Sequence, residues 1–289
     1  PGAKGWISLG FASAATHVRP MALSAPIQLD RAVFPITGPD AEGFLQNLLT
    51  QDMTRLTREP AIYTGLLTPQ GKVAFDFLIW REGDGYLVDV NSSRARDLVQ
   101  RLTLYRLRAK VEIGPIATDK AVWAGPEGAI ADPRRPELGG RWIGAASSSV
   151  TEEPAAYRAH RVTVGVPDPV RDDPDVEAFA LECLFEELNG VDFQKGCFVG
   201  QENVSRMKRR ATTRRKICPV TFEGAALAFG ATIQAGPADI GVVRTAIDGR
   251  ALAMVRLDRA AEAAVKGNVL IAGGKTLRLD PPAWLILPA

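Results

Sequence analysis

Histidine is almost missing from this 289-residue chain: only His17 and His160 occur. That is too few imidazoles for a His-rich zinc centre, a two-histidine iron site or most metallohydrolase arrangements. Cysteine is scarce as well. Cys183, Cys197 and Cys218 are an odd number without scaffold-like spacing, which argues against a disulfide framework and for a reducing, cytoplasmic setting. No stretch reaches the roughly 18 uninterrupted apolar residues of a membrane span. Neither sign of charge dominates: 35 basic and 33 acidic side chains leave a net charge of +2, with no global drive toward nucleic acid or anionic membranes. What remains is ordinary globular composition, 46% hydrophobic and 24% charged, with length for two packed domains.

Residues 1–20 precede the first methionine, Met21, and carry a poor apolar run; they read as a leader or appended segment. Pro26–Ile36 has strand character, and Gly38-Pro39-Asp40 forms a turn whose Asp40 is placed to cap a helix bearing Phe44, Leu45, Leu48 and Leu49 on one face. Ala61–Leu67, Val73–Trp80 and Gly85–Val90 form an antiparallel meander broken at Pro69-Gln70-Gly71 and Glu82-Gly83-Asp84. Helical spacing over Arg94–Leu104 leads to a strand near Val111–Ile113. Strands and loops fill Ala121–Ala145, and a short helix near Pro154 runs through Tyr157 and His160. The sequence just before Asn189 is helix-like and would carry Cys183. Beyond Thr213, five short strand candidates with Gly-rich breaks (Ile217–Phe222, Ala231–Gln234, Ile240–Thr245, Ala251–Val255 and Val269–Ile271) predict a small β-barrel.

The most informative stretch is Asn189-Gly190-Val191-Asp192-Phe193-Gln194-Lys195-Gly196-Cys197-Phe198-Val199-Gly200-Gln201-Glu202. Glycines on both sides of Cys197-Phe198-Val199 permit a tight turn near the surface. Lys195 two residues before the cysteine, and a helix opening at Gln201-Glu202 just after it, offer positive charge and helix-terminal N–H groups that favour a thiolate. A buried structural cysteine is the commoner fate of a free thiol, but this local chemistry favours a reactive or metal-binding Cys197. Cys183 in its helix and Cys218 in a later strand do not complete a cluster site, since iron–sulfur clusters usually take four thiolates.

Lys195 to Glu202 matches in full the signature Lys-Gly-Cys-Tyr/Phe-x-Gly-Gln-Glu of the YgfZ-type folate-binding proteins, and the chain resembles that family from about Leu29 to its C-terminus. Gly38 to Thr50 and the Leu-x-x-Tyr-x-x-Arg-x-x-Val pattern around Tyr105 are also similar to it. The family includes a mitochondrial iron–sulfur assembly factor acting with A-type scaffolds and is related in fold to the glycine-cleavage T-protein, an aminomethyltransferase. The resemblance implies an α+β, T-protein-like folate-binding domain over residues 21–213 and a C-terminal β-barrel over 214–289. It implies tetrahydrofolate as a cofactor, with Asp76, Asn91 and Arg161 as pocket residues. It also implies a 2Fe–2S cluster shared through Cys197 with an A-type scaffold, Lys195, Gly196, Gly200, Gln201 and Glu202 supporting the thiol. Clients would be 4Fe–4S enzymes, including those that thiolate tRNA.

Two departures from the T-protein pattern bear on chemistry. Phe75 replaces one acid of the pair before Leu-Ile, and Thr163 stands where the folate-contacting glutamate would be. Without those carboxylates the expectation is folate binding without aminomethyl transfer, in a non-catalytic assembly factor. Asp76 also reads as a solvated strand residue, and Asn91 as an N-cap. A folate-dependent one-carbon transferase or demethylase is the first alternative. The second is a direct tRNA-binding module using Arg206, Lys208, Arg209, Arg210, Arg214 and Arg215, a run that reads equally as a solvated linker or a polyanion patch. It lacks the interleaved aromatics of sequence-specific RNA binding.

Overall fold

The computed structural model describes residues 23–211 and 213–288, so the leader expected over residues 1–20 falls outside the described residues. The first strand candidate proves to be two strands in different sheets. β1 (Ile27–Gln28) and β2 (Arg31–Thr37) are separated at Leu29-Asp30, where Asp30 turns inward to pair with Arg171. Then comes α1 (Ala41–Leu48), which buries Phe44 and Leu45 and ends at buried Leu49. Asp40 occupies its N-cap position without capping it. The carboxylate accepts instead from the Lys110 N–H at 2.7 Å, tying the turn to a segment 70 residues away.

The meander is β3 (Ala61–Leu67), β4 (Val73–Glu82) and β5 (Gly85–Asn91), followed by α2 (Ala95–Arg106) and β6 (Glu112–Ile113). These strands form a five-stranded antiparallel sheet in the order β3-β4-β5-β2-β6. With β7 (Lys120–Gly125), β8 (Ile130–Ala131) and β9 (Gly140–Ala145), β1 completes a second sheet, β1-β7-β9-β8. Side chains alternate across a strand, and β4 separates two cores on that period. Phe75, Phe77 and Ile79 pack under α1 and α2, while Leu78 and Trp80 face the core shared with the second sheet and the barrel. Asp76 falls on that inner face among buried groups.

α3 (Ala155–Val164) carries Tyr157, His160 and Arg161 and ends at Gly165, whose φ of +93° is the left-handed cap that glycine favours. α4 (Pro169–Asp172) is a single turn. The helix expected around Cys183 does not form. Residues 180–189 are successive turns, with Leu184 at φ +64° and Asn189 at φ +56°. Tertiary pairing overrides helix propensity here: Glu182 and Glu187 ion-pair with Arg215 and Lys216 of the barrel. After α5 (Gln201–Arg210) the chain enters a closed six-stranded barrel. Its strands are β10 (Arg215–Thr221), β11 (Thr232–Ala235), β12 (Ala238–Ile247), β13 (Arg250–Arg256), β14 (Leu270–Ala272) and β15 (Lys275–Leu279), with α6 (Leu257–Val265) between β13 and β14. Five strands were expected. The sixth, β15, closes the barrel by pairing with both β14 and β10.

Candidate functional site

The thiol of Cys197 is exposed, on the loop between the turn segment and α5. Two anchors hold this loop. The upstream one joins residues 189–195 to the end of α1: Asp192 N–H donates to the Thr50 carbonyl at 3.0 Å, Thr50 Oγ1 donates to the Gly190 carbonyl, and Gln51 Nε2 donates to the Asn189 carbonyl at 2.6 Å. Gly190 is required for that approach, because a Cβ there would lie 2.9 Å from the rings of Phe185 and Tyr63. The Asp192 carboxylate accepts from the N–H groups of Gln194 and Lys195, making the turn that aims the lysine.

Lys195 carries the anchor to its end. Its buried ammonium donates to the carbonyls of Gln46, Leu49 and Gln51, at and just beyond the C-terminus of α1 where backbone carbonyls lack helical partners. Burial lowers its pKa to about 8, against the opposing pull of Asp52 and Asp192. The expected contribution of Lys195 to thiolate formation thus gives way to another role. The cation is spent on backbone carbonyls and on the face of Phe198, 5.5 Å away, and it positions the loop.

Downstream, Gly200 has φ +83°, and a Cβ on it would sit 2.6 Å from the Thr68 carbonyl oxygen. It therefore packs directly on the Pro69-Gln70-Gly71 turn, and Asn203 Nδ2 reinforces the contact by donating to the Gln70 carbonyl at 2.8 Å. Between the anchors, the Gln201 side chain reaches back to the Gly196 carbonyl at 3.4 Å, while Glu202 lies exposed in the first turn of α5. Gly196 itself has open space around it and no left-handed φ, so only one of the two glycines is conformationally required. Asn189 and Gly190 belong to the stretch singled out in the sequence, but Thr50 and Gln51, their partners at the end of α1, were not foreseen as part of the site. Their signal in the sequence was polar residues following Leu48-Leu49, where a packed helix end ordinarily has solvent.

The other two cysteines are fully buried in the larger core, and burial raises both thiols above their ordinary range. Among the described residues no group of three or more His, Cys, Asp or Glu side chains is arranged to hold a metal ion. Cys197 is thus the one cysteine of the three that a partner can reach.

Asp76, Asn91 and Arg161 are all buried, yet they are not brought into one pocket. Asp76 accepts from the Tyr63 hydroxyl at 3.3 Å, and burial together with the charge of Asp168 raises its pKa to about 6. It is not the solvated strand residue of the simpler reading. Asn91 accepts from the Ser93 N–H at 3.0 Å and donates to Asp30, so its amide caps the short turn before α2. Arg161 is clamped by Glu153 at 2.8 Å, Asp172 at 3.0 Å, the Val166 carbonyl and, from the barrel, Thr245. Next to these runs a further buried network in which Arg31 and Arg141 share Asp89, and Arg134 and Arg141 share Asp132. The cavity bordering Asp76 holds about 10 Å³. A larger one, about 350 Å³, lies beyond Tyr63 and is bounded by Gln51, Arg55 and Asn189. Small-molecule sites usually occupy ~300–1,000 Å³. In this arrangement the three side chains offer no shared space and few free polar atoms for a pterin.

The basic run likewise divides. Lys208 pairs with Glu186, Arg215 makes a two-pronged pair with Glu182 at 2.9 Å, and buried Lys216 pairs with Glu187. Arg209, Arg210 and Arg214 are exposed, and Arg206 bonds Asn203.

With this geometry, comparison with known proteins is specific. Residues 31–127 match the GCVT N-terminal domain model, and residues 214–286 match the model of the CAF17 C-terminal beta-barrel domain. The chain is 32% identical over 223 residues to the mitochondrial iron–sulfur cluster assembly factor IBA57 homologue of Mycosarcoma maydis, covering 66% of this chain and 55% of that protein. Its relatives are iron–sulfur cluster assembly factors. The human IBA57 protein is 31% identical over 235 residues, covering 66% of this chain and 64% of its own length. The chain thus spans between about half and two thirds of these relatives. Among solved structures, the glycine cleavage system aminomethyltransferase T of Bartonella henselae superposes with a TM-score of 0.71 over 93% of this chain and 88% of its own, at 16% identity. That likeness shows the fold: a GcvT-like domain of antiparallel sheets and helices, followed by a closed barrel.

One expectation falls. The cytoplasmic assignment conflicts with these relatives, which are mitochondrial proteins. Free thiols report a reducing environment, which a mitochondrial matrix also supplies, so cysteine usage carries no address.

Proposed function

We propose that this protein is an iron–sulfur cluster assembly factor of the YgfZ type, in which Cys197 supplies one thiolate to a cluster whose remaining ligands come from a partner. The observation that carries this reading is the contrast among the three cysteines. Cys183 and Cys218 are sealed in the core, whereas Cys197 is exposed on a loop fixed at both ends by Lys195 and Gly200. A rigidly presented single thiol suits transient sharing of a cluster with a second protein, because a lone ligand neither retains a cluster nor needs to rearrange to hand it on. The partner in this reading is an A-type scaffold, the cargo a 2Fe–2S cluster, and the clients 4Fe–4S enzymes, tRNA-thiolating ones included.

The one-carbon transferase alternative is disfavoured by an interior in which Arg161 and Asn91 are committed to protein partners and Asp76 borders almost no free volume. Tetrahydrofolate remains outside the mechanism for the same reason. Direct tRNA binding is the weaker reading because Lys208 and Arg215 are engaged in ion pairs and the exposed Arg209, Arg210 and Arg214 have no aromatic interleaved among them for base stacking.

The test is anaerobic reconstitution with iron and sulfide, with and without an A-type scaffold, followed by visible absorption and size exclusion. The wild-type protein should form a cluster-bearing heterocomplex with the scaffold, and Cys197→Ser should not. Equal behaviour of the two proteins would remove Cys197 from the cluster chemistry.

A further inference from the structure

One face of the first domain is built unlike the rest of its surface. A groove of about 540 Å³ runs between α1 and the C-terminal end of α2, floored by Phe44, Leu48 and Tyr105. Beside it stand Leu104 and Leu107, 66% and 87% exposed. All other exposed large hydrophobics among the described residues lie in the barrel or the C-terminal tail. Leu107 is held out at φ +45°, a conformation a leucine adopts only against its own steric preference.

Gly43 supplies a second observation. It lies on the groove inside α1, where glycine costs about 0.5–1 kcal/mol relative to alanine. Nothing lies within 4 Å of where its Cβ would be. Packing within the chain therefore does not require the glycine, while a second backbone lying close against α1 would.

Charge identifies the visitor. Arg106 and Arg108 line this face, and among the described residues neither forms an ion pair, although Arg106 donates to the Val111 carbonyl at 3.4 Å. Asp40, which accepts from Lys110 N–H, is the one acid in the lining, and Glu42 nearby accepts from the Tyr86 hydroxyl at 3.1 Å. An apolar trough whose rim carries two arginines against one carboxylate fits helix-in-groove recognition of a helix with acidic flanks. We propose that this groove is a docking surface for an amphipathic helix of a partner protein whose apolar face is flanked by acidic residues. Cys197 does not line this groove, and the proposal does not rest on the cluster-sharing reading.

The test uses fluorescence anisotropy with the full chain and two labelled helical peptides of about 14 residues, each with leucines at i, i+3, i+4 and i+7. One is flanked by glutamates and the other by lysines. The glutamate peptide should bind the wild-type protein in the range of about 10–100 μM, and at least about tenfold more tightly than the lysine peptide. Gly43→Gln and the double variant Arg106→Glu/Arg108→Glu should each weaken it at least about tenfold. Cys197→Ser and the distant Lys266→Glu should leave it unchanged. Gly43→Gln should also raise the melting temperature, which separates a blocked groove from a damaged fold.

Absence of binding, equal binding of the lysine peptide, or indifference to Gly43→Gln would overturn the proposal. Sedimentation velocity showing a wild-type dimer lost in Gly43→Gln would assign the groove to a second copy of this chain instead. Binding of an RNA oligonucleotide lost on charge reversal but retained in Gly43→Gln would assign its rim to nucleic acid. Either result also overturns the proposal.

Discussion

The Cys197 loop and the interior around Arg161 are both marked by the family resemblance, and the structure uses their polar groups in opposite ways. In the loop, the supporting side chains satisfy backbone groups and leave the thiol with no hydrogen-bond partner among the described residues. In the interior, Arg161 has protein acceptors on every side, and they tie α3 to α4 and to the barrel. A motif residue whose polar atoms are all consumed by the protein belongs to the fold. One that is held in place with its reactive atom free is available to a ligand. The clearest way to break this comparison is to remove each residue and ask whether stability or function is lost.

Arg161→Met should have the largest effect on stability. It leaves Asp172 buried without its cation and Glu153 with only Arg171 at 3.5 Å, and deleting one partner of a buried pair costs about 3–5 kcal/mol. Urea denaturation measures it directly. A loss below about 1 kcal/mol would show that the clamp is not structural.

Asp76 tests the same interior through pH. Its folded pKa of about 6 lies above the ordinary aspartate value of 3.8, so between those values the native state binds the proton more tightly than the unfolded chain does. Stability should therefore fall as pH rises from about 4 to 6 and then level off. Asp76→Asn should flatten this slope and be more stable at pH 7, by on the order of 2 kcal/mol. Melting curves across that window distinguish a buried, ligand-free carboxyl from a solvated one.

In the loop, Lys195→Met should cost about 2 kcal/mol, since it strips a charged donor from three carbonyls. Amide exchange at residues 49–51 and 196–199 should accelerate together, and unchanged exchange at Cys197 would separate the lysine from the loop. Cys197→Ser should have the smallest effect, within about 0.5 kcal/mol, because an exposed side chain without partners contributes little to folding. A large loss of stability there would make the cysteine structural.

Much of this was legible from pattern. The meander and most barrel strands follow from period-two alternation and glycine-rich breaks, and α2 from its helical spacing, all of them local properties. Lys275-Thr276-Leu277-Arg278-Leu279 carried the same alternation and was passed over, although it is the strand that closes the barrel. The turn segment around Cys183 misled because its spacing of apolar residues suits a helix as well as it suits consecutive turns. Its glutamates decided the matter by reaching Arg215 and Lys216 more than 25 residues away. The supports of Cys197 were half visible. Gly200 shows itself as a glycine before a helix, but the partners of Lys195 lie 144 to 149 residues earlier in the chain.

The sequence by itself determined the two-domain order, the alternation that builds the sheets and the motif that singles out Cys197, because each depends on residues that are neighbours along the chain. The tertiary structure alone decided which charged residues are spent and which are free. A lysine or arginine looks the same in sequence whether it meets solvent, a carbonyl or a carboxylate. Its role is settled by groups that folding brings within about 3 Å, where hydrogen bonds form and desolvation must be offset.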